Sequence, residues 1–475
     1  MPVPHSNSGV LPPGPPLSRS LQAALMLLRG PQFLAACRRR YGDVFTLRIA
    51  RMGTQVYLAD PRDIKTVFTG DTHIFHAGDA NALLSGLIGD SSLMVLDEEA
   101  HRCRRRTMLA PFHRDAVARQ AGLMAEIAAD NVAGWPAGRT FPVTVRMSEI
   151  TLEVILRTVI GATDPARLAA LRTAVPRLLS MGPWGTLALA NPKLLSRRPW
   201  RGLRKRIADV DNLLYAEITD RRNDAELGKR ADVLAMLIRT EGNDNAMTDR
   251  ELRDQLVTLL VAGYDTSATG LAWALERLTR HPTILTRAVA AAHASAAGDA
   301  AGDEYLDAVV KETLRIRPLA FAVGRVLAAP VEVAGYQLPA GAWALPGIGL
   351  VHASAALYPD PDRFDPDRMI GVSPGPTTWL PFGGGARRCL GATFALVEMR
   401  VVLREVLRRA ELITTTAADE TPKLKYVTLI PSRGARISVR TIKNIPPASP
   451  VGAEKPATTP GCPATENVGA TRPAF

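Results

Sequence analysis

Pro381-Phe382-Gly383-Gly384-Gly385-Ala386-Arg387-Arg388-Cys389-Leu390-Gly391 is the stretch on which the reading of this chain turns. One cysteine closes a glycine-rich loop and stands just ahead of a helix-forming run from about Gly391 to Arg409. A helix start offers free N–H groups and partial positive charge, and both lower a thiol's pKa. The glycines leave room for a large planar group against the backbone. Arg387 is suited to binding a carboxylate through two parallel hydrogen bonds. Taken alone, the loop fits a buried structural thiol equally well.

Working outward, Lys311-Glu312-Thr313-Leu314-Arg315 lies on a helix that must end near Pro318. Glu312 and Arg315 share a face at i,i+3 spacing. Between them and the loop, Pro361-Asp362-Arg363-Phe364 falls in a Pro/Asp-rich meander from Tyr358 to Pro381. Upstream, Thr248-Asp-Arg-Glu251 reads as a capping box that starts a long helix ending before His281-Pro282. Inside it, Ala262-Gly263-Tyr264-Asp265-Thr266-Ser267 costs helix stability, because Gly and Thr are poor interior choices. A kink or an exposed polar face would account for it. Near the N-terminus, His101-Arg-Cys-Arg-Arg105 fits a solvated basic face, with Cys103 an incidental thiol.

Together these segments resemble the cytochrome P-450 superfamily, over roughly residues 30–440. Phe382, Gly385, Arg387, Cys389 and Gly391 fall on its haem-binding signature. The resemblance implies haem b with Cys389 as the axial thiolate on iron. Glu312, Arg315 and Arg363 resemble its structural Glu-x-x-Arg and Pro-x-Arg-Phe triad, which fixes the meander behind the haem. Asp265 and Thr266 match an acid–alcohol pair on a locally opened helix that relays protons. His101, Arg105, Arg325 and Arg387 match positions that bind haem propionates. The implied fold is mainly α with small β-sheets (α+β), one large domain, with haem between the long central helix and the helix after the cysteine loop.

Composition agrees with one globular body. The chain has 475 residues, 47% hydrophobic and 22% charged, which excludes a collagen-like or wholly disordered protein. Four cysteines exclude a disulfide scaffold, and no apolar run reaches the ~18–20 residues of a membrane span. Residues 1–20 read as a flexible Pro-rich start, 21–440 as the haem-thiolate domain and 441–475 as a disordered Pro/Ala/Thr tail. Leu21–Leu28 is interrupted by Arg29-Gly30-Pro31 and followed by Arg38-Arg39-Arg40, the reverse of an export signal. The expected location is therefore the cytoplasm, with an amphipathic helix over 31–41 and Cys37 buried. Strands are expected at Val44–Ile49, Gln55–Ala59 and Val331–Leu338, with a closing hairpin from Val427 to Val439.

The implied reaction is monooxygenation: one atom of dioxygen enters a hydrophobic organic substrate and the other becomes water. No Gly-x-Gly-x-x-Gly opens a βαβ unit, so electrons are expected from an acidic ferredoxin or flavodoxin-type carrier with its reductase. A peroxide-driven enzyme or a haem sensor are the alternatives, and the acid–alcohol pair argues against both. The net charge of +12 is consistent with an acidic partner. Arg102, Arg104, Arg106, Arg114, Arg387, Arg388, Arg400 and Arg404 are candidates for a basic rim that docks it. Nucleic-acid binding is the weak reading, and no transmembrane anchor is expected. The apolar segments 81–88, 181–189, 319–323 and 427–430, with Val261 and Ala262, are expected to line the substrate pocket.

Overall fold

We analysed a computed structural model of the chain, which describes residues 11–180, 200–239, 246–425 and 428–448. The longest helix, Asp249–Arg280, starts on its capping box. The Glu251 amide donates to Thr248 Oγ1 at 3.3 Å, and the Thr248 amide donates to the Glu251 carboxylate at 2.9 Å. Apolar residues occur on all its sides, so it is buried nearly all round. Helices Val143–Ile155, Ala300–Ile316 and Ala392–Arg409 pack against it. Gly270 permits the last approach, since a Cβ there would lie 2.7 Å from Met399 Cε.

The sheets are small. A five-stranded sheet runs in the order Val44–Ile49, Gly53–Leu58, Trp343–Pro346, Arg325–Leu327, Phe75–His76. It encloses a second apolar core that includes Val56, Leu58, Ile64, Phe68, Phe75 and Leu327.

Four expectations need correction. The Pro-rich start is docked from residue 11: the Thr46 amide donates to the Pro13 carbonyl at 2.9 Å, extending the sheet edge. The first helix spans Arg19–Tyr41, longer than 31–41, with a bend at Arg29 (φ −143°, ψ 37°) ahead of Pro31. Val331–Leu338 is a hairpin of two three-residue strands, because Ala334 (φ 55°) and Gly335 (φ 76°) form a tight turn. Finally, 427–439 is not one hairpin. Thr428–Pro431 pairs with Pro422–Lys425, whereas Arg436–Ile442 joins Thr140–Pro142 and Ala410–Ile413. Gly434 (φ 77°) and Ala435 (φ 50°) turn the chain from one sheet to the other.

The tail is ordered at least to Ala448. The Lys443 amide donates to the Arg409 carbonyl at 2.8 Å, and Ala448 is buried with its amide 3.4 Å from Glu405 Oε1. Residues 449–475 lie outside the described residues, as does the expected pocket segment 181–189. No described helix is long and apolar enough to cross a membrane.

Candidate active site

The cysteine loop enters its helix through a short 3-10 turn, Gly385–Arg387, and Gly391 caps the helix Ala392–Arg409. The Cys389 amide donates to the Phe382 carbonyl at 2.8 Å, which closes the loop. Phe382 stacks edge-on against Trp379 with centroids 5.7 Å apart. Gly383 (φ 63°) and Gly385 (φ 66°) adopt left-handed backbone. A Cβ on Gly384 or Gly385 would collide with Phe68 on helix Pro61–Thr69. The room these two glycines provide is therefore taken by protein.

Cys389 has an exposed face, yet burial pushes its thiol pKa up. The Gly391 backbone N–H, Arg105 and Arg388 oppose that without outweighing it. The helix start alone thus does not lower the thiol's pKa here. A Lewis acid or cation facing the sulfur would be needed to complete the effect.

Three arginines and a histidine from three elements gather beside the loop. His101 and Arg105 come from helix Glu98–Leu109, Arg325 from strand Arg325–Leu327, and Arg387 from the loop itself. His101 is buried and held neutral, its pKa lowered to about 3 by burial and then by Arg387, Arg105 and Arg325. Burial likewise lowers the pKa of Arg325 to about 10, and its bonds go to the Gly324 carbonyl at 2.8 Å and the Gly384 carbonyl at 3.5 Å. Arg387 pairs with Asp97 and also donates to the Leu93 and Leu96 carbonyls. Arg105 is half-buried with no carboxylate partner among the described residues. The cluster carries more positive charge than Asp97 can balance.

Asp97 was not anticipated. It precedes Glu98 at the start of the helix bearing His101. Its carboxylate accepts from the amides of Ala77 at 3.0 Å, Gly78 at 2.9 Å and Asp79 at 3.0 Å. An Asp ahead of two Glu is a helix-start signal that could have flagged it.

On the central helix, Asp265 and Thr266 are both partly accessible. The Thr266 hydroxyl donates to the Ala262 carbonyl at 2.7 Å, and the helix is continuous from Asp249 to Arg280. The helix shows no break at the local opening that the resemblance implies. Asp265 accepts from Lys425 Nζ at 3.0 Å, a partner on the hairpin that no local pattern marks. The segment 81–95, whose first half was expected at the pocket, is latched to this helix. Gln255 donates to the Ser91 carbonyl at 2.6 Å and accepts from the Leu93 amide at 3.0 Å, and Ser92 bonds Thr258 at 2.6 Å.

Behind the loop, Arg315 Nε and Nη2 donate to the two oxygens of Glu312 at 2.7 and 2.8 Å, with both residues fully buried. The third member is Arg368, not Arg363. Arg368 Nε donates to Glu312 Oε1 at 3.1 Å, whereas the Arg363 side chain is 69% exposed. Pro-Asp-Arg occurs twice, at 361–363 and 366–368. Helix Ala300–Ile316 packs on the turn Pro366–Met369, which brings the second copy into reach. Arg363 contributes only its carbonyl, 3.2 Å from Arg315 Nη2.

The basic rim also changes. Arg104 pairs with Glu251, Arg400 lies 3.2 Å from Asp307, and Arg404 is buried against Glu405. Arg106, Arg114 and Arg388 remain exposed.

The cytochrome P450 family profile matches residues 12–439. The chain is 66% identical over 463 residues to cytochrome P450 135B1 of Mycobacterium tuberculosis, covering 97% of each chain. It is 38% identical over 433 residues to cytochrome P450 135A1 of the same organism, covering 90% of this chain and 94% of that one. Its fold matches the retinoic-acid-bound cyanobacterial CYP120A1 with a TM-score of 0.77, at 23% identity and over 91% of this chain and 99% of that one. With a cysteine-closed loop, a buried Glu–Arg–Arg triad and this extent of similarity, the chain belongs to the cytochrome P450 family, whose members are haem-dependent monooxygenases.

Proposed function

We propose that Cys389 would ligate the iron of a haem b, and that the chain oxygenates a hydrophobic organic substrate with electrons from a separate acidic carrier. The donor set fits that group. One accessible sulfur stands beside a cationic cluster whose charge a single carboxylate does not balance, which is the environment a planar group with two acidic arms requires. His101, Arg105, Arg325 and Arg387 would hold those arms, and Cys389 the iron. When bound, haem supplies activation of dioxygen for insertion into an unreactive bond.

The remaining residues position and supply protons. Asp265 has its carboxylate held by Lys425 and is partly accessible, so it would serve as the acid of the pair. Thr266, the next residue, offers its hydroxyl oxygen as the acceptor and donor that carries a proton onward. Substrate would contact Ala262 and the segments 81–88 and 319–323, which are largely apolar. Exposed Arg106, Arg114 and Arg388 would steer an acidic ferredoxin or flavodoxin-type protein to the thiolate side. We place this chemistry in the cytoplasm, where reduced carriers are made.

The observation that carries the proposal is the pairing of Cys389 with an under-neutralised arginine cluster. The test is the ferrous–CO spectrum of wild type and Cys389→Ala. The strongly red-shifted Soret band should appear only in wild type, and a variant that keeps it would overturn the ligand assignment. Compounds that shift the ferric Soret band would then identify the substrate class.

A further inference from the structure

Asp43 is the first acidic residue of the chain. The residues before it include Arg19, Arg29, Arg38, Arg39 and Arg40 but no Asp or Glu, although acids make up 46 of the 475 residues. Arg38 is engaged by Asp43 at 2.7 Å and by the Leu350 carbonyl at 2.5 Å. Arg19, Arg29, Arg39 and Arg40 are exposed.

The same segment exposes leucine. Leu17 is 37% accessible, Leu21 46%, Leu27 65% and Leu28 78%. Leu21, exposed Ala24 and Leu28 follow helical spacing, and Leu17 stands one turn ahead of them. This stripe is not a core face left unpacked, because the helix already has one. Gln22, Gly30, Leu34 and Cys37 are buried. Gln22 donates to the Leu17 carbonyl at 2.8 Å and accepts from the Arg48 amide at 2.8 Å. Gly30 sits so close to the Phe321 ring that a Cβ would collide with it. The bend at Arg29 ends the leucine-bearing half, which docks on the body through Gln22 as the second half does through Leu34 and Cys37.

We propose that the first helix, Arg19–Tyr41, lies flat on an anionic phospholipid bilayer. Leu17, Leu21, Leu27 and Leu28 would enter the headgroup–acyl boundary, and Arg19, Arg29, Arg39 and Arg40 would meet lipid phosphates. A second copy of the chain would set these arginines against their own kind. An acidic protein surface would satisfy the arginines but leave the leucines unmatched. A lipid surface of negative charge satisfies both at once. The contact is peripheral, since no described helix can span. Phe321, under Gly30, belongs to the segment 319–323 expected at the pocket. Docking would therefore set a pocket wall beside the phase in which an apolar substrate dissolves. That consequence rests on the proposed function, whereas the binding does not.

The test is co-sedimentation of the full-length, haem-loaded protein with vesicles of phosphatidylcholine alone or mixed with phosphatidylglycerol. Binding to the mixed vesicles should be stronger by at least about ten-fold and should weaken with salt. Leu27→Ser/Leu28→Ser should lower it by at least about ten-fold. Arg19→Gln/Arg29→Gln should lower it by roughly five-fold per arginine, on anionic vesicles only. Circular dichroism and the ferrous–CO spectrum of each variant should match wild type. A failure of the haem reading would show in that spectrum and leave sedimentation unchanged. Absence of wild-type binding to anionic vesicles would overturn the proposal. So would a leucine variant that sediments like wild type, or a leucine-dependent dimer in lipid-free solution by light scattering.

Discussion

Replacing the members of the buried triad one at a time should separate three costs that the structure ranks. Glu312 is 0% exposed and accepts four hydrogen bonds: two from Arg315, one from Arg368 Nε at 3.1 Å and one from the Asp365 amide at 3.0 Å. Glu312→Ala leaves Arg315, 1% exposed, with only the His352 and Arg363 carbonyls. An uncompensated buried charge costs ~3–5 kcal/mol, a large part of a typical ~5–15 kcal/mol stability. Arg368→Ala keeps the Glu312–Arg315 fork and removes one bond to its carboxylate, together with bonds to the Pro359, Asp360 and Arg363 carbonyls, for at least ~1.5–3 kcal/mol. Arg363→Ala removes an exposed side chain whose nearest carboxylate, Asp365, is 3.9 Å away, and should stay within ~0.5 kcal/mol. Urea denaturation followed by tryptophan fluorescence, with haem content measured in parallel, gives the order. If Arg363→Ala proved as costly as Arg368→Ala, the assignment of the third triad member to the second Pro-Asp-Arg would be wrong. A wild-type midpoint for Glu312→Ala would show that the buried charge is compensated in some other way.

Glu398 offers a pH test. It is fully buried, neither oxygen completes a hydrogen bond, and burial pushes its pKa up to about 8, opposed by the Ser267 hydroxyl beside it. Its folded pKa lies above the unfolded ~4.3, so the stability it confers is lost as pH rises between those values. Glu398→Gln should flatten that slope and gain on the order of a few kcal/mol near pH 8, and an unchanged slope in urea titrations would exclude the group. Thr266→Ala should fold and bind haem but release more peroxide per electron consumed, so a wild-type coupling ratio would remove Thr266 from proton delivery. Arg106→Glu or Arg114→Glu should slow association with an acidic electron carrier and flatten its salt dependence in stopped-flow mixing. Arg104→Gln, whose parent is tied to Glu251, should leave that rate unchanged.

The sequence by itself determined what depends on neighbours within a turn or two. Thr248 and Glu251 start the central helix and His281-Pro282 ends it, because caps and proline act on adjacent backbone. The loop around Cys389 and the helix after it were legible for the same reason, and so was the i,i+3 pairing of Glu312 with Arg315.

Only the tertiary structure decided questions whose answers lie through space. Two Pro-Asp-Arg copies stand five residues apart, and although only the first is followed by Phe, packing of Ala300–Ile316 on Pro366–Met369 selects Arg368. Asp97 meets Arg387 from 290 residues away, and Lys425 meets Asp265 from 160. No local pattern carries those distances. The Cys389 thiol shows the same limit in its electrostatics. Its helix start and arginines favour the thiolate, but desolvation by the folded loop outweighs them. Propensity and capping are summed over a few adjacent residues, whereas burial and charge pairing are summed over whatever the fold brings near, and the second sum exists only once the chain is packed.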